Sequence, residues 1–201
     1  TEESADWAYS ALLDWGVRFT GQRNHPARAF HAADRGDVRA TPVLLETANN
    51  QANSALLRAS AISHLSALVP ARTASYLSLW LSSSDPLIRQ AAVEAAGHLP
   101  PEQRLPILTP VLEDPVLGVR MIAAEQLADL PAANLSTQAE RVAALNKEYR
   151  KVQSQHLDMP SVLAQLSLFQ LAQGETQAAE AGLLSALQKN PQSSVARVNL
   201  A

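Results

Sequence analysis

The chain has 201 residues, of which 47% are apolar and only 4% aromatic, and a formal net charge of −3. Its 16 basic residues are scattered, so no charge-driven attraction to nucleic acid or to an anionic membrane surface is expected. The absence of cysteine excludes disulfides, thiolate metal sites, a thiol nucleophile and, within these residues, a Cys-x-x-Cys-His haem attachment, and no apolar run approaches the ~20 residues of a membrane-spanning helix.

Thr1-Glu2-Glu3, without an initiator Met, reads as the start of a processed protein or an excised segment. Residues 4–20 place Trp7, Ala11, Leu12, Trp15 and Phe19 at helical spacing, which predicts an amphipathic helix ending near Gly21 with both tryptophans docked. After a polar break at 22–24, Pro26 suits the first turn of a second helix that Gly36 stops. Residues 1–37 are thus expected to form an N-terminal helical cap.

From residue 38 one pattern is written three times. It reads Leu57-Arg58-Ala59-Ser60-Ala61, then Ile88-Arg89-Gln90-Ala91-Ala92, then Val119-Arg120-Met121-Ile122-Ala123. The arginines are 31 residues apart both times (89 − 58 and 120 − 89), and each copy has a leucine ten positions later, at Leu68, Leu99 and Leu130. Such self-similarity marks stacked helix pairs that bury their apolar faces against one another. The expected pairs are 38–48 with 54–68, 71–81 with 87–98, and 102–112 with 116–130, within a repeat region spanning 38–134. Ser54 and Asp85 stand four residues ahead of their arginines as helix caps, and Pro86 fills a first helical position. Asp114-Pro115 lies six residues ahead of Arg120, so the third helix start is expected to be shifted.

These residues resemble HEAT repeats, in particular short HEAT-like repeats whose second helix begins Asp-Pro and continues through arginine into small residues, as in Asp85-Pro86-Leu87-Ile88-Arg89 and Asp114-Pro115-Val116-Leu117-Gly118-Val119-Arg120. The resemblance implies an all-α fold, an α–α superhelix or solenoid. It also implies that Arg58, Arg89 and Arg120 form a ladder, each bonding a carboxylate or exposed backbone carbonyls of its neighbour. The alternative is that the three arginines form an anion-binding surface for a partner.

Residues 135–156 read as one long helix, with Leu135, Ala139, Val142, Leu145, Tyr149 and Val152 on one face, and residues 135–158 as a linker. Beyond Pro160, Leu163, Leu166, Gly174, Ala179, Leu183, Ala186, Leu187 and Pro191 fall in the order of a tetratricopeptide repeat, which residues 159–201 resemble. Ser167 stands where that family usually has glycine and Gln170 where it has an aromatic residue. The pattern restarts over residues 195–201, so further repeats are expected beyond them.

Motifs for chemistry are scarce. The histidines, at 25, 31, 64, 98 and 156, include no i, i+4 pair of the kind that holds a metal on a helix. No serine sits in a Gly-x-Ser-x-Gly turn, and the seven glycines form no phosphate-binding loop. No catalytic residue and no metal site is therefore assigned, and an enzyme is not expected. Residues 73–84 carry no charge and hold Tyr76 and Trp80. They are either buried between repeats or turned to a concave surface, where the two aromatics would anchor a partner.

The order of parts is itself informative: Ser4-Ala5-Asp6-Trp7-Ala8, the stretch 27–37, three short repeats, Pro100-Pro101-Glu102-Gln103-Arg104-Leu105, a linker and a tetratricopeptide pattern. It is similar to the carboxy-terminal region of bacterial multihaem c-type cytochromes with attached repeats. That resemblance implies a periplasmic parent protein carrying haem c ahead of this region, with His25 and His31 as the residues that could reach a haem. The expected function is a non-catalytic scaffold for a protein or peptide partner, or for its own haem domain; a haem-contacting role in electron transfer is the alternative.

Overall fold

The computed structural model describes residues 5–16 and 26–200, and all regular structure among them is helical. Helix α1 (Ala5–Asp14) is shorter than its apolar spacing predicts. It ends in a turn at Trp15-Gly16, with Gly16 at φ 77°, and both Trp7 and Trp15 are more than half exposed, so neither is a core residue. Helix α2 (Pro26–Asp34) packs on the next two helices, where Phe30 stacks on His64 and His64 Nδ1 lies 3.3 Å from Asp34.

The first pair consists of a 3₁₀ turn at Val38–Ala40 leading into α3 (Thr41–Asn49), then α4 (Ala55–Leu68), whose free N–H at Leu57 is accepted by the Ser54 hydroxyl. The stretch expected as one helix over 71–81 is broken into α5 (Pro70–Thr73), a 3₁₀ turn (Ala74–Tyr76) and α6 (Leu77–Leu81). Thr73 is buried, and its hydroxyl lies within hydrogen-bonding reach of the Leu65 and Val69 carbonyls. This ties α5 back to the last turn of α4 and to Val69 just after it, before the chain can extend as a single rod. Helix α7 (Pro86–Ala96) completes the second pair, with Asp85 accepting the Leu87 N–H.

Helix α8 (Pro101–Leu108) also ends earlier than expected. Its interior Pro106 removes a backbone donor, and the last turn tightens to 3₁₀ at Thr109–Val111 before α9 (Leu117–Leu127). The second helices start at Ala55, Pro86 and Leu117, again 31 residues apart both times (86 − 55 and 117 − 86). Helix α7 lies between α4 and α9, and the alanines three residues after each arginine, Ala61, Ala92 and Ala123, are fully buried there. Small side chains at these points let neighbouring helices approach closely, which is why the pattern repeats alanine rather than leucine.

The single helix expected over 135–156 is divided. Short α10 (Ala132–Leu135) passes through a 3₁₀ turn at Ser136–Gln138 into α11 (Ala139–Gln153), and a further 3₁₀ turn comes at Ser154–His156. Consecutive serine and threonine, with weak helix propensity, favour the tighter turn. Val142, Leu145 and Tyr149 of α11 are buried in the same core as the preceding pairs, and that core runs from Ala29 to Phe169. Helices α12 (Pro160–Ala172) and α13 (Thr176–Lys189) form a hairpin, with α14 (Ser194–Asn199) after it. Leu183, Ala186, Ala164 and Ala196 make a second, smaller core there.

Ser167 is buried in this hairpin and its hydroxyl donates to Leu163 O, while a Cβ on Gly182 would meet the Ser167 oxygen at 2.1 Å. Gly174, at φ 81°, makes the turn. Replacing it with alanine forces a side chain into the left-handed region and is expected to cost about 1 kcal/mol, read by urea denaturation. An unchanged midpoint would show that this turn relaxes freely.

Candidate functional site

Each repeat arginine turns its guanidinium to backbone carbonyls that come shortly before the second helix of its pair. Arg58 Nε donates to Ala48 O at 2.9 Å. Arg89 Nη1 donates to Ser83 O and Ser84 O, and Arg120 Nη1 to Asp114 O. These carbonyls belong to the last turn of α3 and to the turns ahead of α7 and α9, where helix ends leave carbonyls without intrahelical donors.

Two of the three also reach forward to the following unit through both forks of the guanidinium. Arg89 donates Nε to Asp114 Oδ2 at 2.7 Å and Nη2 to Oδ1 at 2.9 Å, and both residues are buried. Burial pushes the Asp114 carboxyl up. The bonds from Arg89 and from the Val116 N–H outweigh that and hold it below the usual carboxylate range. Asp114 stands two residues ahead of Val116, the residue at the N-cap position of α9, and its Oδ1 accepts from both Arg89 Nη2 and the Val116 N–H. Arg120 grips Glu148 of α11 at 2.9 and 2.6 Å, which holds the Glu148 carboxyl low and raises the guanidinium.

Sequence reasoning missed a fourth member. Arg150 of α11 stands 30 residues after Arg120, donates to both oxygens of Glu175 at 3.0 and 2.6 Å and to Gln173, and lies 5.4 Å from the Phe169 ring centre. Tyr149 beside it is fully buried, stacks on Phe169 and donates its hydroxyl to Glu125, and burial raises the phenol above its ordinary pKa. Arg104, also missed, bonds Gln126 O and Asp129. A signal was available: Arg89–Asp114, Arg104–Asp129 and Arg150–Glu175 all have a separation of 25 residues.

Arg58 is different. It lines an open cleft of about 650 Å³ between the turn after α3 and the turn after α6, walled by Asn49, Gln51, Asn53, Ser82, Ser83 and Ser84, with Leu79 at the rim. Trp80 touches this cleft but is 1% exposed, its indole N–H donating to Asn49 Oδ1 at 2.9 Å and its ring stacked on Tyr76. Trp80 is therefore a core residue and not a surface anchor, and half-buried Tyr76 is occupied against it. The burial of Arg89 likewise removes it from any anion-binding surface. A second cleft of about 560 Å³ lies farther along at Arg120, where both arginines are engaged, in Arg120–Glu148 and Arg141–Glu113 pairs.

Of the two histidines named as haem contacts, His31 is exposed on α2 and His25 lies outside the described residues. Among the described residues no group of three or more acidic or histidine side chains could hold a metal ion, and no helix is long and apolar enough to cross a membrane.

No curated protein and no solved structure matches the chain. A family model described as HEAT repeats matches residues 41–128, so the stretch from α3 to the end of α9, with Arg58, Arg89 and Arg120 on it, is similar to HEAT repeats.

Proposed function

We propose that the chain is a non-catalytic helical-repeat scaffold that holds a protein or peptide partner at the cleft lined by Arg58 and Leu79. The observation that carries this reading is the HEAT-repeat match over residues 41–128, since HEAT repeats generally serve as protein-interaction scaffolds. The recurrence of the second helices every 31 residues supports a superhelical stacking of the pairs. In this reading residues 1–37 form an N-terminal helical cap, 38–134 carry the three HEAT-like pairs, 135–158 form the linker, and 159–201 hold a tetratricopeptide repeat and the start of a second. The Gly174 turn and the buried Ala179 and Ala186 support the last assignment.

A photo-crosslinking residue at Leu79, which is 61% exposed on the cleft rim, tests the scaffold reading. It is expected to capture one or a few proteins from extracts of the native cell, whereas the same residue at exposed Gln155 captures none of them. Equal capture from both positions, or none from either, overturns it. The order of motifs also supports a multihaem parent protein in the periplasm; the flanking coding sequence tests this, because a frame without Cys-x-x-Cys-His motifs removes it.

A further inference from the structure

We infer that Arg58 is a docking site for a carboxylate supplied from outside this chain, taking the place of an internal partner that the sequence omits. Arg89, Arg120 and Arg150, at the later positions of the ladder, each close on a carboxylate through two parallel N–H···O bonds. For Arg89 and Arg150 that carboxylate stands 25 residues ahead. The same interval from Arg58 (58 + 25) falls on Ser83, whose hydroxyl accepts the Asp85 N–H and carries no charge. Among the described residues Arg58 Nε is engaged with Ala48 O, and neither terminal nitrogen has a partner. Arg58 lines the wall of the cleft together with Asn49, Gln51 and Asn53 and with Ser82 to Ser84.

The chemistry selects the ligand class. A planar guanidinium fork matches a planar carboxylate, and the other rungs of this ladder are built that way. Asp85 is the carboxylate among the residues lining the cleft, and one of its oxygens accepts the Leu87 N–H at the start of α7. Its negative charge disfavours a doubly charged phosphate more than a singly charged carboxylate. The ligand is therefore an aspartate or glutamate side chain, or a chain-terminal carboxylate, of a partner polypeptide. This inference rests on the scaffold reading for its source of ligand.

The test is an NMR titration of the full chain, following the Arg58 side-chain N–H signals. The probes are an N-acetyl Ala-Glu-Ala amide, an N-acetyl tri-alanine with a free terminal carboxylate, its uncharged amide, and inorganic phosphate. At least one carboxylate peptide is expected to give a saturable shift, and which of the two binds more tightly identifies the source. Arg58→Gln and Ser83→Asp are each expected to weaken binding by at least about tenfold. Ser83→Asp keeps Arg58 in place and supplies the rung internally, so loss of binding in that variant, with unchanged helical circular dichroism, is not a folding failure. Absence of saturation by both carboxylate peptides, equal binding of the uncharged amide, tighter binding of phosphate, or undiminished binding by Ser83→Asp overturns the site. A partner crosslinked through Leu79 equally well in Ser83→Asp sinks the carboxylate site alone, whereas a Leu79 probe that captures nothing sinks the scaffold reading.

Discussion

Arg89→Met is expected to lower stability by about 3–5 kcal/mol, because it strands Asp114 in the interior without its counter-ion. It also leaves the Ser83 and Ser84 carbonyls without their donor. Arg120→Met removes a bond of similar geometry, yet the Glu148 side chain is 37% exposed and rehydrates, so a loss of about 1 kcal/mol or less is expected. The ranking of the two, measured by urea denaturation, is the informative result. Adding Asp114→Leu to Arg89→Met is expected to cost less than the sum of the two single changes, by about 1–3 kcal/mol, since the pair is then removed together. Additive losses would mean that the two residues are not coupled.

The same pair sets an acid limit. The folded Asp114 carboxyl lies below its unfolded value, so its contribution is fully present above that value of about 4 and is lost as pH falls through the lower folded one. Glu148 is shifted the same way and adds to the effect. Wild-type stability is therefore expected to fall steeply below about pH 4, and Asp114→Asn to flatten that fall. A variant with the wild-type slope would locate the acid-labile groups elsewhere.

Trp80→Ala is expected to cost about 3–5 kcal/mol, the range for emptying a large buried aromatic site. Three effects combine there: the lost apolar burial, the stacking on Tyr76, and the Asn49 oxygen left without its indole donor. Asn49→Ala removes the same hydrogen bond from its acceptor side and is expected to cost about 1–2 kcal/mol, because the buried indole N–H then has no acceptor. Trp80 is also distinguishable from Trp7 and Trp15, which are exposed. Its emission should be blue-shifted and shielded from iodide, and a Trp80→Ala chain should lose only that component. A loss of stability under about 1 kcal/mol, smaller than core truncations produce, would show that the turn after α3 and α6 are not packed together as described.

How much of the fold is readable in the chain depends on where the signals lie. The 31-residue interval is legible because each second helix must present the same residue types to its neighbours: Ile88 and Val119 to the core, Ala61, Ala92 and Ala123 to the close contacts. Individual helix ends are less legible. Thr73 binding back to Leu65 and Pro106 inside α8 shorten helices through particular contacts that periodicity does not register. The orientation of Trp80 depends on the break at Ala74–Tyr76, which resets the helical phase of every residue after it. The pairs Arg104–Asp129 and Arg150–Glu175 join different units, so local patterns are blind to them, and only the shared separation of 25 residues betrays them. The cleft at Arg58 is the hardest to foresee, because it is marked by a serine standing where other rungs place an acid.

Helix α11 holds Glu148 and Arg150 two residues apart, hence roughly 200° apart around its axis. One clasps Arg120 behind it and the other Glu175 ahead of it. The helix is consequently keyed like a spindle between two gears. A single residue inserted between these positions would rotate one clasp by about 100° relative to the other, so the segment can change length there only in steps near a whole turn. Variation in chain length is thereby channelled into the surface turns, while the angular setting between the two halves of the array stays fixed.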